Sequence, residues 1–506
     1  MPDFDVVVIG AGSAGSVAAS VLSTQTNVSV CLIEAGPDYG PFEAGRWPSE
    51  ILDPRLRPRT HDWGFVDSRA KVVGGCSAHN QCAAVWGLPE DYDLWGGAGN
   101  LGWSYKEISK LIQEIERCSV DSLTEWRGKD GWLPTRHYRD EELASWQLAF
   151  LESTVSMGYS RIADLSAPQP GEGVMPFHAN VYKSTRWNAA FAFLDRARGR
   201  RNLTVLPNTL AEKLLFEHKN ARTLVCQSGS DTLEIRARQF VICAGAYSSP
   251  GILMRSGIGP RTELERLGIR IHRDLLGVGK NLQDHSVVSV EFELSEHGLR
   301  ALEQDVVEGS FHESQVILRA RSVHCKGPFD LHLAPYQTTA DSDEYVSAVL
   351  ACDMVPQSRG SIHLSGTDAE LPPLIDFGFL TDPLHQDASV LIDGLRLIHR
   401  LAESGPLATM IESRTPRPDA MKPGESYSYV ESHVDGYAHP VGTCRMGQLS
   451  DSLAVVDSGG LVRGTSNVYV ADASIIPTIP RANTNLTCML IGLKIAKELS
   501  IRLLRS

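Results

Sequence analysis

The sequence predicts an α/β fold that combines a Rossmann-like dinucleotide-binding domain with a discontinuous second domain built on an antiparallel sheet. Three observations support this prediction. An apolar stretch at residues 6–9 runs directly into the turn Gly10-Ala11-Gly12-Ser13-Ala14-Gly15. A second apolar strand pattern ends in Glu34, at the spacing where such domains place an acidic residue. Residues from about 287 to 370 alternate between strand patterns and charged turns, which is typical of an antiparallel sheet.

The composition describes a large globular chain. It has 506 residues, of which 42% are hydrophobic and 22% are charged, so it can form a sizeable core and two domains. The formal net charge of -13 argues against nucleic-acid binding, which needs a basic face, and offers nothing to an anionic membrane surface. Such a charge can steer a cationic substrate, but acidic proteins without that property are common.

The ten cysteines are scattered, with no C-x-x-C pair and no zinc-like spacing. Several lie inside apolar strand patterns, where cysteine behaves as a small hydrophobic residue. This usage indicates a reducing compartment. The N-terminus enters the first strand almost at once, without a leader pattern, and no apolar run reaches transmembrane length. We therefore expect a cytoplasmic protein without a bound metal.

The glycine-rich turn gives the first functional prediction. Gly10 makes the tight turn, Gly12 allows the backbone to approach a pyrophosphate, and Gly15 allows the following helix to pack closely. The N-terminus of that helix offers unpaired N–H groups to the phosphates. Glu34 can accept hydrogen bonds from both ribose hydroxyls, which favours an unphosphorylated ribose, as in FAD or NAD. A glycine turn in an ordinary α/β protein is the alternative.

The remaining elements follow in chain order. Residues 35–69 are irregular, and Gly74-Gly75 then permits close approach of the backbone to a planar ligand. Predicted helices cover 16–23, 104–117, 188–198, 387–403 and 485–503, and predicted strands cover 203–206, 213–216, 240–243 and 468–470. We expect the dinucleotide domain to comprise residues 1–118, 199–286 and 455–506, and the second, substrate-binding domain to comprise residues 119–198 and 287–454.

Four separated blocks of sequence carry a resemblance to a known family. They are the N-terminal turn through Glu34, residues 69–80, residues 245–259, and the C-terminal pair 437–443 and 471–485. Together they resemble the glucose-methanol-choline (GMC) oxidoreductases, a family of FAD-dependent alcohol oxidases and dehydrogenases, over essentially the whole chain. Residues 277–285, Gly-Val-Gly-Lys-Asn-Leu-Gln-Asp-His, are also similar to that family. The resemblance implies the GMC fold, bound FAD and oxidation of an alcohol.

The resemblance also implies a set of residues that contact FAD. These residues are Gly10, Gly12, Ser13, Ala14, Gly15, Glu34, Ala35, Gly74, Gly75, Ser77, His79, Asn80, Ala211, Asp472, Ala473, Asn483 and Thr484. Within the family the chain looks closest to the choline-oxidising members, in which a histidine at the place of His79 is joined to the 8α-methyl carbon of the flavin. His79 is thus a candidate for a covalent link, and a histidine packed beside the flavin without a bond is the alternative.

His439 and Asn483 are the catalytic pair that the resemblance implies. Alcohol oxidation requires removal of the hydroxyl proton while a hydride leaves the carbon for flavin N5. The protein must therefore supply a base and stabilise the developing alkoxide. His439 lies in the turn where the family carries its catalytic histidine. The Asn483 amide can orient the substrate oxygen, and a helix-entry cap is a compatible second role.

Three residues are implied as substrate contacts. Phe311 and Glu313 fall near the place where choline-oxidising members hold a quaternary ammonium, and an aromatic wall beside a carboxylate suits such a cation. A solvated glutamate at a strand edge is the alternative. Tyr437 lies in the active-site turn, where the family varies. Departures from the choline-oxidising pattern at Gln81 and Ala334 put choline and efficient use of oxygen in question.

Four classes of function stay open. The leading prediction is oxidation of a primary alcohol to an aldehyde, with the flavin reoxidised by O2 to give H2O2. The second is a dehydrogenase that passes electrons to a quinone or another acceptor. A hydroxynitrile-lyase-like flavoprotein is disfavoured because both His439 and Asn483 are present, and a nicotinamide-binding protein is disfavoured by residues 245–259. Family analogy indicates a homodimer. The charge and composition indicate that neither nucleic acid nor a membrane is a partner.

Overall fold

Two seven-stranded sheets, each with its own hydrophobic core, organise the molecule. The structure is a computed structural model that describes residues 3–169, 171–339, 344–418, 422 and 424–505. Four smaller sheets of two or three strands complete the strand pairing within these ranges.

The first sheet is the predicted dinucleotide-binding sheet. Across it the strands run Leu210–Glu217, Asn220–Ser228, Asp231–Ile242, Phe4–Ile9, Val30–Ile33 and Leu203–Leu206, with Val468–Val470 beside Asp231–Ile242. The central strands pair in parallel, and a hairpin extends the sheet with antiparallel pairs. Residues 6–9 are buried, as expected of a parallel strand covered by helices on both faces. The strands predicted at 6–9, 203–206, 213–216, 240–243 and 468–470 are confirmed, apart from small shifts at their ends.

Two helices meet at the glycine-rich turn. Helix Ser13–Gln25 follows the turn directly, and the C-terminal helix Asn485–Arg505 packs against it. A Cβ atom on Gly492 would lie 2.3 Å from the carbonyl oxygen of Ala14, so a glycine is needed for this close approach. The start of the C-terminal helix is therefore held beside the turn.

The second sheet is antiparallel in every pair, as predicted. Across it the strands run Ile411–Thr415, Ser286–Leu294, Tyr345–Asp353, Leu331–Thr339, Val316–Ala320 and Gly173–Pro176, with Asp435–Gly436 beside Ser286–Leu294. Helices Ser145–Ser156 and Gln386–Leu401 pack on one face, where Leu331 and Leu333 join their core. Because side chains alternate along a strand, Ala334 and Tyr336 point to the opposite face.

Two predicted stretches differ from the structure. Residues within the expected run of strands form helix Glu296–Glu308, which begins after Ser295, whose hydroxyl accepts a hydrogen bond from the Gly298 N–H. The helix predicted over 188–198 is a single turn, Ala189–Ala192, followed by a short 3-10 turn. The prediction of one continuous helix is wrong there, because the hydrogen bonding changes to the 3-10 pattern from Leu194 onward.

The other elements are short. The remaining helices are Ser49–Leu52, Pro89–Gly97, Tyr105–Ile115, Thr124–Arg127, Gly245–Arg255, Arg261–Arg266, Gly405–Met410 and Glu425–His433. The remaining strands are Glu116–Cys118, Leu133–His137, His178–Ala179, Val181–Tyr182, Thr185–Arg186, Ile258–Gly259, Arg273–Asp274, Lys280–Leu282, Gly360–His363 and Leu374–Asp376. Within the described ranges, none of the helices has both the length and the apolar composition needed to cross a membrane.

The chain passes between the two cores more than once. Val441 and Cys444 pack in the core of the first sheet, whereas Cys82 and Val85 pack in the core of the second. Segments that the sequence assigns to one domain thus contribute side chains to the core of the other sheet. The domain boundaries stay a prediction.

Candidate active site

The glycine-rich turn is shaped for a phosphate group. Gly10 has a φ of 100°, and a Cβ on Gly15 would lie 1.8 Å from the Gly10 carbonyl oxygen. A Cβ on Gly75 would lie 2.5 Å from the Cα of Gly12, so the two loops touch backbone to backbone. The helix that begins at Ser13 has no side-chain cap and no acidic residue in its first turn. Its first N–H groups therefore suit a pyrophosphate.

Glu34 ends the second strand with a buried carboxylate. Its two oxygens accept hydrogen bonds from the N–H groups of Ala11 and Gly36, each at 2.9 Å. Burial raises the pKa of Glu34 to about 7, although these N–H groups and the charge of Lys71 act in the opposite direction. Hydroxyl groups of a ribose that donate to this carboxylate would favour its charged form, so Glu34 fits the predicted sugar.

Several buried polar atoms in or against the predicted FAD segments have no hydrogen-bond partner among the described residues. They are both ring nitrogens of His79, Nδ2 of Asn188, Oδ1 of Asn483 and Nδ2 of Asn485. Buried polar groups are normally paired, so these atoms mark a place for a further polar molecule. Asn188 lies against Gly74, and the Ser13 hydroxyl donates to Oδ1 of Asn485 at 2.7 Å. The residues present therefore fit FAD.

Asp472 joins two elements of the protein. One carboxylate oxygen accepts from the N–H of Gly245 at 2.8 Å and from the hydroxyl of Ser249 at 2.5 Å. The other accepts from the N–H and the hydroxyl of Ser474, at 2.8 and 2.5 Å. Burial raises the pKa of Asp472, and these four donors oppose that effect. Its side chain is thus occupied by protein donors, and its predicted contact with FAD stays a prediction.

Other predicted FAD residues also make internal contacts. The Ser77 hydroxyl donates to the carbonyl of Gly74 at 2.6 Å, and Oδ1 of Asn80 accepts from the N–H of Cys82 at 3.0 Å. These contacts fix the loop on either side of His79. Ala211 is buried at a bulge of its strand, Ala35 directly follows Glu34, and Ala473 and Thr484 are buried in the C-terminal block.

His439 and Asn483 come together as predicted. Nδ2 of Asn483 lies 3.1 Å from Nε2 of His439. The turn that carries His439 is held by Asp284, whose carboxylate accepts from the His439 N–H at 2.8 Å, and by Arg69, which donates to the carbonyl of Ala438 at 3.2 Å. The two members of the pair are thus supplied by separate segments and fixed at hydrogen-bond distance.

A second histidine completes this arrangement. Nδ1 of His285 lies 3.0 Å from Nδ1 of His439, and Nε2 of His285 lies 3.1 Å from the carbonyl oxygen of Pro480. A carbonyl only accepts, so His285 must carry its proton on Nε2, and its Nδ1 is then an acceptor. His439 must donate to that acceptor from its own Nδ1. Its Nε2 is therefore unprotonated and can accept from the Asn483 amide.

Burial keeps both histidines neutral. Burial lowers the pKa of His439 well below its ordinary value, and the positive charge of Arg69 acts in the same direction. Burial lowers the pKa of His285 to about 3, against a small opposing effect from the Pro480 carbonyl. The neutral tautomers assigned by the hydrogen bonds are consequently the forms present near pH 7.

The predicted substrate residues lie in different surroundings. The ring of Tyr437 meets that of His439 edge to face, with centroids 4.8 Å apart. Phe311 is buried, and its centroid lies 5.3 Å from that of Tyr345. Glu313 is also buried and already has several donors within the protein. The structure thus brings Tyr437, but not Phe311, against the predicted catalytic histidine.

Two residues near His439 were not assigned roles from the sequence. His285 ends the family-like stretch 277–285, but its contact with His439 joins positions far apart in the chain. Arg69 opens the second block, yet only the folded turn shows that it holds the Ala438 carbonyl. The sequence signal that could have identified both residues is their position within blocks that resemble the family.

Comparison with known proteins identifies the family. The GMC oxidoreductase N- and C-terminal family profiles match residues 4–287 and 356–492. A 5-(hydroxymethyl)furfural oxidase from Methylovorus sp. is 32% identical over 97% of this chain and 98% of its own length. An oxygen-dependent choline dehydrogenase from Brucella anthropi is 31% identical over 97% of this chain and 94% of its own length.

Solved structures agree with this result. The crystal structure of pyridoxine 4-oxidase from Mesorbium loti superimposes with a TM-score of 0.85 and 27% identity over 98% of both chains. A formate oxidase structure from Aspergillus oryzae RIB40 superimposes with a TM-score of 0.86 at 22% identity over 99% of this chain and 98% of that chain, which supports the fold alone. With its dinucleotide turn, its paired His439 and Asn483 and these matches over nearly its whole length, the chain belongs to the GMC oxidoreductase family.

Proposed function

We propose that His439 accepts the hydroxyl proton of a primary alcohol, and that Asn483 orients the alcohol oxygen, as the alcohol is oxidised to an aldehyde. The enzyme is an FAD-dependent alcohol oxidoreductase of its family, and bound FAD supplies the acceptor for the hydride that leaves the carbon. The observation that carries the proposal is the hydrogen-bond chain from Pro480 through His285, which leaves Nε2 of His439 unprotonated.

The geometry of the pair suits one oxygen atom. Because Asn483 Nδ2 and His439 Nε2 are 3.1 Å apart, a hydroxyl oxygen can lie within hydrogen-bond distance of both. When the alcohol binds, its hydroxyl replaces the Asn483 amide as the donor to Nε2 of His439, and the amide donates to the alcohol oxygen instead. As the hydride leaves the carbon, the proton moves to Nε2 and the C–O bond becomes the aldehyde carbonyl. His439 then holds two protons, one of which still faces His285.

Anaerobic reduction of the flavin tests this proposal. His439→Ala should slow flavin bleaching by alcohol by about 10²-fold or more, the scale of acid–base groups. His285→Ala should slow it less, since the base remains but its tautomer is no longer fixed. His399→Gln, at a buried histidine of helix Gln386–Leu401, is the matched control and should reduce normally. Normal reduction by His439→Ala would remove His439 from the mechanism.

The electron acceptor is proposed to be O2. The names of two relatives, an oxidase and an oxygen-dependent dehydrogenase, support this choice. Air admitted to the reduced enzyme should restore the flavin absorbance quickly, whereas slow recovery in air and fast recovery with a quinone would identify a dehydrogenase. Absence of bleaching by every alcohol would favour the lyase-like alternative.

The substrate names of relatives give the first compounds to test. They are 5-(hydroxymethyl)furfural, choline and pyridoxine, each taken from a relative rather than from this chain. The covalent link to FAD, the cytoplasmic location and the homodimer stay predictions. The division into an FAD domain and a substrate domain likewise stays a proposal, supported by the two separate cores.

A further inference from the structure

The buried carboxylate of Glu313 is balanced by an arginine of the irregular segment that precedes the FAD loop. It accepts hydrogen bonds from Nε2 of Gln81 and from the backbone N–H of Arg57, each at 3.1 Å, and from the hydroxyl of Thr338 at 2.8 Å. Nε of Arg57 also lies 3.6 Å from this carboxylate. Both the charge and most of the acceptor positions of Glu313 are therefore used inside the protein.

Arg57 itself remains accessible. About half of its side chain, 48%, is exposed, compared with 4% for Glu313. Its Nη2 donates to the hydroxyl of Tyr336 at 2.8 Å, and its guanidinium carbon lies 5.7 Å from the centroid of that ring. These contacts orient the guanidinium while leaving part of it free to meet another molecule.

Two connections link this arginine to segments that carry predicted site residues. Gln81, which shares Glu313 with Arg57, lies two residues after His79. Tyr336, which orients the guanidinium, points away from the helices that cover the second sheet, on the same face of its strand as Ala334. The arginine is thus tied both to the predicted flavin loop and to the face of the sheet opposite the helices.

A third connection runs through Tyr437. Burial raises the pKa of Tyr437 well above its ordinary value, and the charge of Arg57 acts in the opposite direction. The charge of Arg57 thus acts electrostatically on a residue whose ring contacts that of His439. A substrate bound against His439 and Tyr437 would be exposed to the same charge.

We propose that Arg57 makes this active site select alcohols whose distal group is a neutral or anionic hydrogen-bond acceptor and reject alcohols that carry a cation. The inference rests on the proposed alcohol oxidation. A Glu313 without a partner would attract a cationic substrate. Because Arg57 is paired with Glu313, the cation meets a guanidinium instead, and the repulsion of like charges in a partly desolvated site weakens its binding. A carboxylate or ring oxygen can instead accept from the guanidinium N–H groups.

Two pairs of alcohols that are closely matched in shape test the selection. Choline and 3,3-dimethylbutan-1-ol differ by one positive charge, and 4-(hydroxymethyl)benzoate and benzyl alcohol differ by one carboxylate. The dissociation constant of each is measured from anaerobic flavin reduction or, where no reduction occurs, from the change in flavin absorbance on binding. The wild type should bind 3,3-dimethylbutan-1-ol more tightly than choline, and the benzoate at least as tightly as benzyl alcohol, by factors on the order of tenfold for a charge in such a site.

Variants then assign the effect to Arg57. The choline ratio is the dissociation constant of choline divided by that of 3,3-dimethylbutan-1-ol. Arg57→Met should lower this ratio by about tenfold, because it leaves the negative charge of Glu313 without its arginine partner. The double variant Arg57→Met with Glu313→Gln should bring the ratio close to one. Glu313→Gln alone should strengthen the preference for 4-(hydroxymethyl)benzoate over benzyl alcohol, because the charge of Arg57 is then no longer balanced. This variant still tests the proposal if Arg57→Met does not fold. Arg55→Met, which removes a neighbouring arginine paired with Asp53 at 2.7 Å, is the matched control and should leave both ratios unchanged.

The outcomes separate the two proposals. Tighter binding of choline by the wild type, or ratios that Arg57→Met and Glu313→Gln leave unchanged, would overturn the role of Arg57. Binding of all four alcohols without flavin bleaching would instead count against the proposed oxidation. The ratios of dissociation constants would still show whether Arg57 selects against cationic alcohols.

Discussion

At the scale of single residues, the surroundings of His79 support its predicted attachment to the flavin. Its ring is buried, neither nitrogen has a partner among the described residues, and burial lowers its pKa. A neutral imidazole has an unprotonated nitrogen with a lone pair, which bond formation to a flavin carbon requires. The protein offers that lone pair no competing donor within the described ranges.

This placement predicts how the flavin leaves the protein. Acid precipitation of the wild type should leave the flavin with the protein pellet, whereas precipitation of His79→Ala should release it into the supernatant. His61→Ala is the matched control, since His61 lies nearby but bonds to the hydroxyl of Tyr39 at 2.6 Å. Complete release from the wild type would show that the covalent link is absent.

At the scale of elements, the contact between the first and last helices positions the site. Gly492 allows the C-terminal helix to approach the backbone of Ala14, and the start of that helix carries Asn485 beside Ser13. Asn483 lies only two residues before the helix. Any outward movement of the helix would therefore displace one member of the proposed catalytic pair as well as the glycine-rich turn.

Gly492→Ala is expected to weaken both stability and flavin retention. Its Cβ would meet backbone rather than a flexible side chain, so the helices must separate, at a cost of about 1–3 kcal/mol typical of an overpacked core. Thermal unfolding followed by circular dichroism, with flavin fluorescence as a measure of release, checks both effects. Gly97→Ala is the control, since a Cβ there meets no atom within 4 Å. Equal behaviour of the two variants would mean that the helix contact does not position the turn.

Sequence reasoning succeeded where one local pattern has one structural meaning. The buried run at residues 6–9, the glycine turn and Glu34 predicted the first sheet because each requires its neighbour in a fixed order. Helix Glu296–Glu308 was missed because its half-exposed face carries charged residues that also suit strand turns. The Ser295 cap was the local signal for it.

The arrangement of the candidate active site is only partly predictable from the sequence. His439 and Asn483 lie in family-like blocks, but no local pattern shows that His285 fixes their protonation or that Arg57 balances Glu313. Both contacts join positions more than a hundred residues apart, so they exist only in the folded chain. Their discovery requires the fold.

At the scale of the whole molecule, buried histidines couple stability to pH. Burial lowers the pKa of His178, His285, His332, His399 and His439. For each of them the unfolded chain binds a proton more readily than the folded protein, so the stability it contributes is present above pH 6.5 and is lost as the pH falls. Glu34, whose pKa burial raises to about 7, acts in the opposite sense because the folded protein then binds the proton more readily.

A single variant isolates one of these contributions. Burial, helped by the charge of Arg127, lowers the pKa of His178 to about 3, so His178→Gln removes a group that opposes folding at low pH. Between pH 6.5 and 5.5, urea unfolding should show the stability of the variant relative to the wild type rising by at most about 1.4 kcal/mol, the value for one proton per pH unit. His297→Gln, at an exposed histidine, should show no such change. A relative stability of His178→Gln that stays constant over this range would mean that His178 takes up its proton equally in the folded and unfolded states, and burial would then not control its charge.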